Sequence, residues 1–582
     1  MKTQTLTTME TLRKPTSAVA PFPVPPLSRI LMTIEVVLPL ILLILGIYHG
    51  FMQALYRAGV IQSADFLGLG YYQGLTLHGV VNAVVLTTFF GVAFGNAVMQ
   101  YYLQRPLIGW VHALSTGLMV VGTLTAAVPM LLGAADVLYT FYPPLRAHPA
   151  FYIGAAMLVV GSWMAFFGWL PLVSAWRKEN PGQPLPLAVL GMLVTFIIWF
   201  ICTIPLAIEV LFMLIPWSLG WVETINISLA RTLFWFFGHP LVYFWLLPAY
   251  VVYYAMLPKI AGGKLYSDKA ARLAFMLFLI FSIPVGLHHQ YTEPGFSRFW
   301  KAVHALLTFG VAIPSFMTAF TVAASLEYAG VRRGGKGLFG WMWRLPWFDA
   351  NRPLFAYSIA GLLIFIYGGL TGIVNASYNI NQTIHNTAFI SGHFHMTVGG
   401  PVFLMILGMS LELIRQLTGK PIRLKGWNVA VPYLWILGLM VFSTAMMYGG
   451  LLGQPRRTNM GLSYLDPSSP HFRADWVPTA YLTGIGATIL TVAFVIYLAV
   501  LFSTLLGKAE APAGALSFPT AESLHEEATE TELVARLRPW LVVALILIVV
   551  SYWVPLKQAL STPQGAPPYD PNSPVPLTQV KN

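Results

Sequence analysis

The sequence predicts an all-α, polytopic membrane protein with about thirteen transmembrane helices. Of its 582 residues, 57% are hydrophobic and only 9% are charged, whereas a soluble chain carries about 25% charged residues. Aromatic residues make up 14% of the chain and include 18 Trp, a composition typical of the interfacial belts of membrane helices. Thirteen segments are long and apolar enough to cross a bilayer as helices. These segments are residues 29–56, 70–103, 108–135, 149–177, 185–215, 223–257, 270–292, 300–328, 353–378, 387–417, 427–452, 477–507 and 537–556.

The distribution of Lys and Arg predicts the orientation of these segments. Most of the 33 basic residues fall on one side if the N-terminus is cytoplasmic, and basic loops normally face the cytoplasm. We therefore expect an N-in, C-out protein with a cytoplasmic N-terminal segment (1–28), a transmembrane domain (29–556) and an extended, Pro-rich C-terminal tail (557–582). The net charge of +12 is scattered between apolar segments, so no nucleic-acid partner is expected.

The cysteine content limits the metal chemistry of the chain. Cys202 is the single cysteine, so the chain alone cannot form a disulfide, a cluster of thiolate ligands or a dinuclear thiolate copper centre. A metal site within this chain must therefore use other side chains.

Six histidines in the predicted membrane segments are the strongest functional signal. They are His78, His239, His288, His289, His393 and His395. On a helix, His393 and His395 project about 200° apart, so they cannot share a metal but can each bind an iron on opposite faces. Two histidines alone could equally be buried residues that hydrogen-bond to neighbours. All six, however, fall in the middle or outer third of the membrane, which favours convergence on metals.

Coordination chemistry divides these imidazoles into two, one and three. Haem iron bound by two imidazoles has no open position and carries electrons, whereas iron bound by one keeps a face free for a small ligand. Copper accepts imidazole ligands, and three of them leave one position open. The predicted ligand sets are His78 and His395 for one haem iron, His393 for a second haem iron, and His239, His288 and His289 for copper.

The motifs around these histidines resemble those of subunit I of the haem-copper oxidases. The matching motifs are Gly238-His-Pro-Leu-Val-Tyr243, His288-His289 and His393-Phe-His395, and the similarity extends from about the first segment to the twelfth. The thirteen segments, His78 in Leu-Thr-Leu-His-Gly and Leu241 look like the B branch, the ba3-type cytochrome c oxidases. The A branch usually has a Glu at the position of Leu241 that serves a second proton channel, so the resemblance implies that this channel is absent.

This resemblance implies the catalytic subunit of a terminal respiratory oxidase in the plasma membrane of a prokaryote. Such a subunit reduces O₂ to water and couples this reaction to proton uptake from the cytoplasm and to proton pumping. The implied cofactors are a low-spin haem b, a high-spin a-type haem and the copper ion CuB. The implied partners are a subunit II with a dithiolate copper centre, cytochrome c as electron donor, O₂ and a small additional membrane subunit. Tyr243 would be covalently joined to the copper-binding histidine and supply an electron and a proton when the O–O bond breaks.

Two ladders of hydroxyl side chains predict a route for protons. The first is Tyr243, Tyr250 and Tyr254 on the sixth segment, and the second is Thr308, Ser315 and Thr318 on the eighth. Each set falls on one stripe of its helix and descends from the metal site toward the cytoplasm, with Thr321 as an extension. Polar residues can instead stabilise helix packing, but the B branch is similar in using a single hydroxyl-lined route.

Polar residues in the outer loops are predicted to bind haem propionates. Arg456 and Arg457 lie in an outer loop, against the positive-inside tendency, and guanidinium groups suit carboxylates. The resemblance assigns both to propionates, and His385 with Asn381 to the propionates of the ligand-binding haem. Relatives often carry an Asp, suspected of helping to hold a pumped proton, where Asn381 stands; Asn381 cannot ionise. Asn386 replaces an Asp near the magnesium of the A branch, so no magnesium is expected.

Three other functions are alternatives to the oxidase. A nitric oxide reductase uses iron in place of copper and typically lacks the tyrosine at position 243, although Glu209 in the fifth segment is an intramembrane acid to examine. A quinol oxidase of the same fold stays open, because the electron-entry site would lie on another subunit. A secondary transporter would have inverted repeats and broken helices at the midplane, and it leaves six histidines unexplained.

Overall fold

Thirteen helices follow the predicted membrane segments in the computed structural model, which describes residues 19–63 and 65–562 and the backbone of 565–566. They are α1 (Pro26–Arg57), α2 (Tyr71–Leu103), α3 (Gly109–Leu131), α4 (Pro149–Glu179), α5 (Leu187–Ser218), α6 (Ile227–Ala255), α7 (Asp268–Phe281), α8 (Arg298–Arg332), α9 (Pro353–Ala376), α10 (Ala388–Thr418), α11 (Lys425–Leu451), α12 (Ala474–Leu505) and α13 (Leu537–Ser561). Within the described residues, all of them except α7 are long and apolar enough to cross a membrane. The prediction of an all-α polytopic membrane protein is confirmed.

Short elements complete the structure between these helices. The short helices are Leu257–Ile260, Gly286–Gln290, Gly337–Gly340, Met342–Arg344, Tyr378–Ile384, Leu462–Tyr464 and Leu533–Ala535. Two antiparallel pairs of two-residue strands join Phe22–Pro23 to Ala515–Leu516 and Ile225–Asn226 to Gly565–Ala566. The first pair joins two segments expected on the inner side and the second joins two expected on the outer side, so both agree with thirteen crossings.

The seventh segment differs most from its prediction. Helix α7 has 14 residues and ends at Phe281, whereas the sequence predicted a helix over 270–292. Pro284 lacks a backbone N–H and disfavours helix in the residue before it, and the chain turns there before the 3₁₀ helix Gly286–Gln290. The two adjacent histidines therefore lie on irregular backbone, which is tolerated at membrane depth only where protein surrounds it.

The chain ends differ little from the predicted domain bounds. Helix α1 begins at Pro26 and α13 ends at Ser561, a few residues outside the predicted transmembrane domain of 29–556. Residues 1–18 and 567–582, which carry most of the predicted N-terminal segment (1–28) and C-terminal tail (557–582), lie outside the described residues, so both assignments stay predictions.

Three helices form the centre of the bundle. Helices α2, α6 and α10 are the most fully buried, whereas α8 and α13 turn most of their surface outward. A helix that is apolar on every face is stable only inside the bundle or in lipid. The central helices therefore hold their polar side chains away from lipid, where partners on neighbouring helices are available.

Three π-helical turns interrupt the long helices. They are Val80–Val85 in α2, Val210–Leu214 in α5 and His395–Val402 in α10. Such turns are rare and often occur at functional sites. The first follows His78 closely and the third begins at His395, so two of the three adjoin predicted haem ligands. The second directly follows Glu209.

A buried acid joins α1, α2 and α3 near their predicted inner ends. Glu35 is fully buried, and its carboxyl accepts hydrogen bonds from Thr116 Oγ1 at 2.6 Å and Asn96 Nδ2 at 3.1 Å. His112 Nε2 lies 3.0 Å from the same carboxyl. These partners satisfy a polar group that would otherwise be costly to bury.

Replacing Glu35 with Ala should destabilise the protein, because three polar groups lose their common partner. The expected loss is about 3 kcal/mol, and Glu35→Gln should lose less because its amide oxygen still accepts. The measurement is the temperature at which the purified protein loses its helical circular dichroism. Glu327→Ala, at an exposed position of α8, is the control. An unchanged temperature for Glu35→Ala would refute a stabilising role for this cluster.

Candidate metal site

All six predicted metal-binding histidines line one cavity. The cavity has a volume of about 510 Å³ and lies between α2, α6, α8, α9, α10 and the 3₁₀ helix Gly286–Gln290. Histidines from four separate parts of the chain therefore converge.

The rings of His78 and His395 face each other across this cavity. Their centroids are 5.9 Å apart and their planes differ by 19°, which leaves room for one metal atom between the rings. His78 Nδ1 lies 2.9 Å from the carbonyl of Gly46, and His395 Nδ1 lies 2.8 Å from that of Ser391. A carbonyl can only accept, so each Nδ1 donates and each Nε2 is left as a potential ligand.

His393 projects from the face of α10 that lies opposite to His395. Its Nδ1 lies 2.9 Å from Thr371 Oγ1, whose own proton is donated to the carbonyl of Gly368 at 2.7 Å. The threonine oxygen therefore accepts from His393 Nδ1, which leaves Nε2 free toward the cavity. This single free nitrogen fits an iron that keeps its opposite face open.

Three further imidazoles form a compact group. The ligand atoms of His239, His288 and His289 all lie within 4.8 Å of one another, and no Asp, Glu or Cys of the described residues joins them. His239 Nε2 is buried without a hydrogen-bond partner. His288 Nδ1 lies 2.9 Å from Thr308 Oγ1, which donates its proton to the carbonyl of His304. A set of three imidazoles, two of them buried, fits copper.

Tyr243 lies beside this group on α6. Its ring centroid is 4.9 Å from that of His239, and it lines the same cavity. Helix α6 stays continuous through Pro240, so the two side chains remain one turn apart as their spacing predicted.

The hydroxyl ladders extend the cavity from the metal site toward the predicted inner side. The members that line it are Tyr243, Tyr250, Thr308, Ser315 and Thr318. Tyr254 lies deeper, with its hydroxyl 2.5 Å from that of Thr318. Thr318 donates its proton to the carbonyl of Pro314, so Tyr254 donates to Thr318. The two ladders are thus joined at their lower end.

The predicted propionate-binding residues form a cationic wall of the same cavity. Arg456, Arg457, His385 and Asn381 all line it. Burial, with Arg457 and Arg231 nearby, lowers the pKa of Arg456 to about 9, and its Nε is buried without a partner. Burial and Arg456 likewise lower the pKa of His385 to about 4. Cations crowded in this way, with hydrogen-bonding capacity to spare, fit the carboxylates of a haem.

Asn381 positions His385 within this wall. Its Oδ1 lies 3.2 Å from His385 Nδ1, and its Nδ2 donates to both oxygens of Asn375, at 2.7 and 2.9 Å. The amide is therefore anchored by donating and can accept from the imidazole. This arrangement is the hydrogen-bonding role expected of an asparagine that cannot ionise.

Comparison with known proteins identifies the family. A family model described as cytochrome c and quinol oxidase polypeptide I matches residues 31–489. The chain belongs to this family. Cytochrome c oxidase subunit 1 of Thermus thermophilus is 45% identical over 501 residues, which cover 84% of this chain and 86% of the relative. The Bacillus sp. PS3 subunit 1 is 25% identical and covers 75% of this chain and 68% of the relative.

A solved structure agrees with the sequence matches. A cryo-EM structure of a heme-copper terminal oxidase dimer superposes with a TM-score of 0.92 at 51% identity, covering 95% of this chain and 97% of that chain. The resemblance drawn from the histidine motifs is thereby confirmed, and the protein is the catalytic subunit of a terminal oxidase.

Sequence reasoning missed one important residue of this oxidase. Arg231 lines the cavity, forms an ion pair with Glu293 at 2.6 Å, and places its guanidinium 4.5 Å from the Tyr142 ring centroid. An Arg inside a predicted membrane segment is itself a functional signal and could have revealed it. Glu209, by contrast, is not among the residues lining the cavity.

The ring of His78 depends on a glycine of α1. A Cβ at Gly50 would lie 2.5 Å from His78 Cε1 and Nδ1, so Gly50→Ala must push the imidazole out of line with His395. We expect this variant to lose most of the low-spin haem, measured as the haem-to-protein ratio and the reduced absorption spectrum. Gly117→Ala, where a Cβ meets nothing within 4 Å, is the control. Full low-spin haem in Gly50→Ala would contradict the assignment of His78.

Proposed function

We propose that His393 and the three clustered imidazoles build the centre at which this subunit reduces O₂ to water. The observation that carries the proposal is the single cavity that all six histidines line. His78 and His395 bind the low-spin haem iron, His393 binds the high-spin haem iron, and His239, His288 and His289 bind copper. When bound, the haems and the copper supply the electron transfer and the O₂ chemistry that side chains cannot.

The residues around the metals hold these imidazoles neutral and oriented. Thr371 Oγ1 accepts a hydrogen bond from His393 Nδ1, and Thr308 Oγ1 lies at the same distance from His288 Nδ1. Trp235 stacks on His289 with centroids 3.8 Å apart and planes 5° apart. Fixing the ring and its tautomer in this way is what makes an imidazole a defined ligand.

Tyr243 supplies a proton and an electron to the reacting oxygen in this proposal. Its position one turn from His239, with the rings in contact, also supports the covalent link implied by the family resemblance. Protons reach it from the cytoplasm along the joined ladders, through Tyr254, Thr318 and Tyr250. Uptake along this route is coupled to proton pumping across the membrane.

Cofactor types and partners follow from the family resemblance. The low-spin haem is haem b, the high-spin haem is a-type, and Arg456, Arg457, His385 and Asn381 bind their propionates. Cys202 is the single cysteine of the chain, so the dithiolate copper centre belongs to a subunit II, which receives electrons from cytochrome c. A small additional membrane subunit completes the complex in the plasma membrane of a prokaryote. Quinol is the second candidate donor, because the matching family includes quinol oxidases.

Metal analysis of the purified complex tests the site. We expect one copper in this subunit, one haem unmoved by CO and a second haem that binds CO. His288→Asn should lose the copper and keep both haems, because neither iron uses this imidazole. His471→Asn, at an exposed loop position, should keep all three metals. Non-haem iron in place of copper would move the assignment to a nitric oxide reductase.

Removing one hydroxyl tests the proton route. Thr318→Val deletes the group that accepts from Tyr254, so proton delivery and O₂ reduction should slow by about 10- to 100-fold, with unchanged haem spectra. The measurements are steady-state O₂ consumption and proton uptake after a single reduction. Thr488→Val removes a hydroxyl that bonds only to Gly484 on α12 and is the control. Wild-type rates in Thr318→Val would rule out this route.

A further inference from the structure

Glu209 is a buried acid that the proposed function leaves without a role. Three acids are buried among the described residues. Glu35 accepts several hydrogen bonds, and Asp268 pairs with Arg272 at 2.7 Å. Glu209 is fully buried, and neither of its carboxyl oxygens has a hydrogen-bond partner. It also directly precedes one of the three π-helical turns, as His78 and His395 adjoin the other two.

Its surroundings require Glu209 to be a neutral acid at rest. A charged carboxylate taken into the interior without a cation or donor costs several kcal/mol, so the protonated form is retained. A protonated acid inside a membrane protein can release its proton when a nearby charge or contact changes. The chain thus holds one exchangeable proton at this position.

The depth of Glu209 places it in the outer half of the membrane. Helix α5 packs antiparallel to α6, with the rings of Trp199 and Phe244 at 4.1 Å and those of Trp199 and Phe237 at 5.9 Å. Glu209 lies ten residues further toward the outer end, a rise of about 15 Å. This register puts it near the level of Arg231, which lines the cavity of the metal site.

Aromatic side chains lie between the surroundings of Glu209 and Arg231. Tyr152 lies on α4, which packs against the π-helical turn that follows Glu209. The Tyr152 ring lies 6.2 Å from that of Phe141, which is followed in the chain by Tyr142, the ring beneath Arg231.

Polar atoms with spare hydrogen-bonding capacity lie on the outer side of Glu209. Thr140 Oγ1 in the outer loop and Trp217 Nε1 at the end of α5 are both buried without a side-chain partner. The guanidinium of Arg146 lies 5.8 Å from the Trp217 ring centroid. Of these groups, the Thr140 hydroxyl can accept a proton, whereas the Trp217 indole and the Arg146 guanidinium can only donate.

We propose that Glu209 holds the translocated proton in the outer half of this oxidase. Release of that proton outward leaves a carboxylate, and a proton drawn from the inner side restores the acid. The inference rests on the proposed proton pumping.

Glu209→Gln separates pumping from chemistry. The amide has the shape of the neutral acid, so both haems and the copper should remain, and O₂ consumption should keep at least half its rate. Protons ejected per electron from vesicles containing the complete oxidase should fall by more than half. The infrared C=O band of a protonated acid, seen between oxidised and reduced enzyme, should disappear. Glu223→Gln, at an exposed outer-loop position, should change neither quantity.

Each outcome bears on the proposal. Normal proton ejection by E209Q overturns it, as does an infrared band that survives in E209Q. If E209Q loses its haems, Glu209→Asp replaces it, and an assembled Asp variant with an unshifted infrared band also overturns the proposal. A wild-type complex that reduces O₂ without ejecting protons contradicts the proposed pumping itself, whereas normal ejection by E209Q alone overturns only the role of Glu209.

Discussion

The hydrogen bond at the second nitrogen of four of the six imidazoles is the constraint on which the site depends. A buried imidazole is useful as a ligand only if it is neutral and its free nitrogen points into the cavity. Gly46, Ser391 and Thr371 provide acceptors for His78, His395 and His393. The bond from His395 to Ser391 lies within α10, whereas the other two tie α1 to α2 and α9 to α10, so the positions of four helices are tied to the orientation of the rings.

Close packing of helices follows from the same constraint. For His78 to reach the carbonyl of Gly46, α1 and α2 must approach until no side chain fits between them, and a Cβ at Gly46 would lie 2.0 Å from Asn82 Oδ1. Small residues at helix contacts allow such approaches in membranes. One π-helical turn follows His78 in α2, and another begins at His395 in α10. Each turn rotates the part of the helix beyond it, so the residues that follow each ligand face different neighbours.

The sequence predicted the membrane helices well because bilayer thickness fixes their length. It predicted which six histidines line one cavity because intramembrane histidines are rare. It could not predict the acceptors of those histidines. Thr371 lies 22 residues from His393, and Thr308 lies 20 residues from His288, so neither pair has a helical spacing that marks it. Pro284 indicates the break after α7, but the long apolar segment around it favoured a continuous helix. Arg231 also lies within a long apolar segment, which made it easy to overlook.

At the outer end of the cavity, few acidic side chains are needed, because the haem propionates would balance the charge of the arginines. Arg231, Arg456 and Arg457 crowd one wall, and Glu293 is the acid paired with them, through Arg231. Burial raises the pKa of Glu293, while Arg231 acts to lower it. Haem propionates in the cavity would supply the remaining negative charge, so a further fixed carboxylate at position 381 is unnecessary for binding. An acid at the outer end of the protein is then available for proton transfer instead of haem binding. It can lie outside the cavity, behind the cationic wall, where no cation keeps it permanently charged.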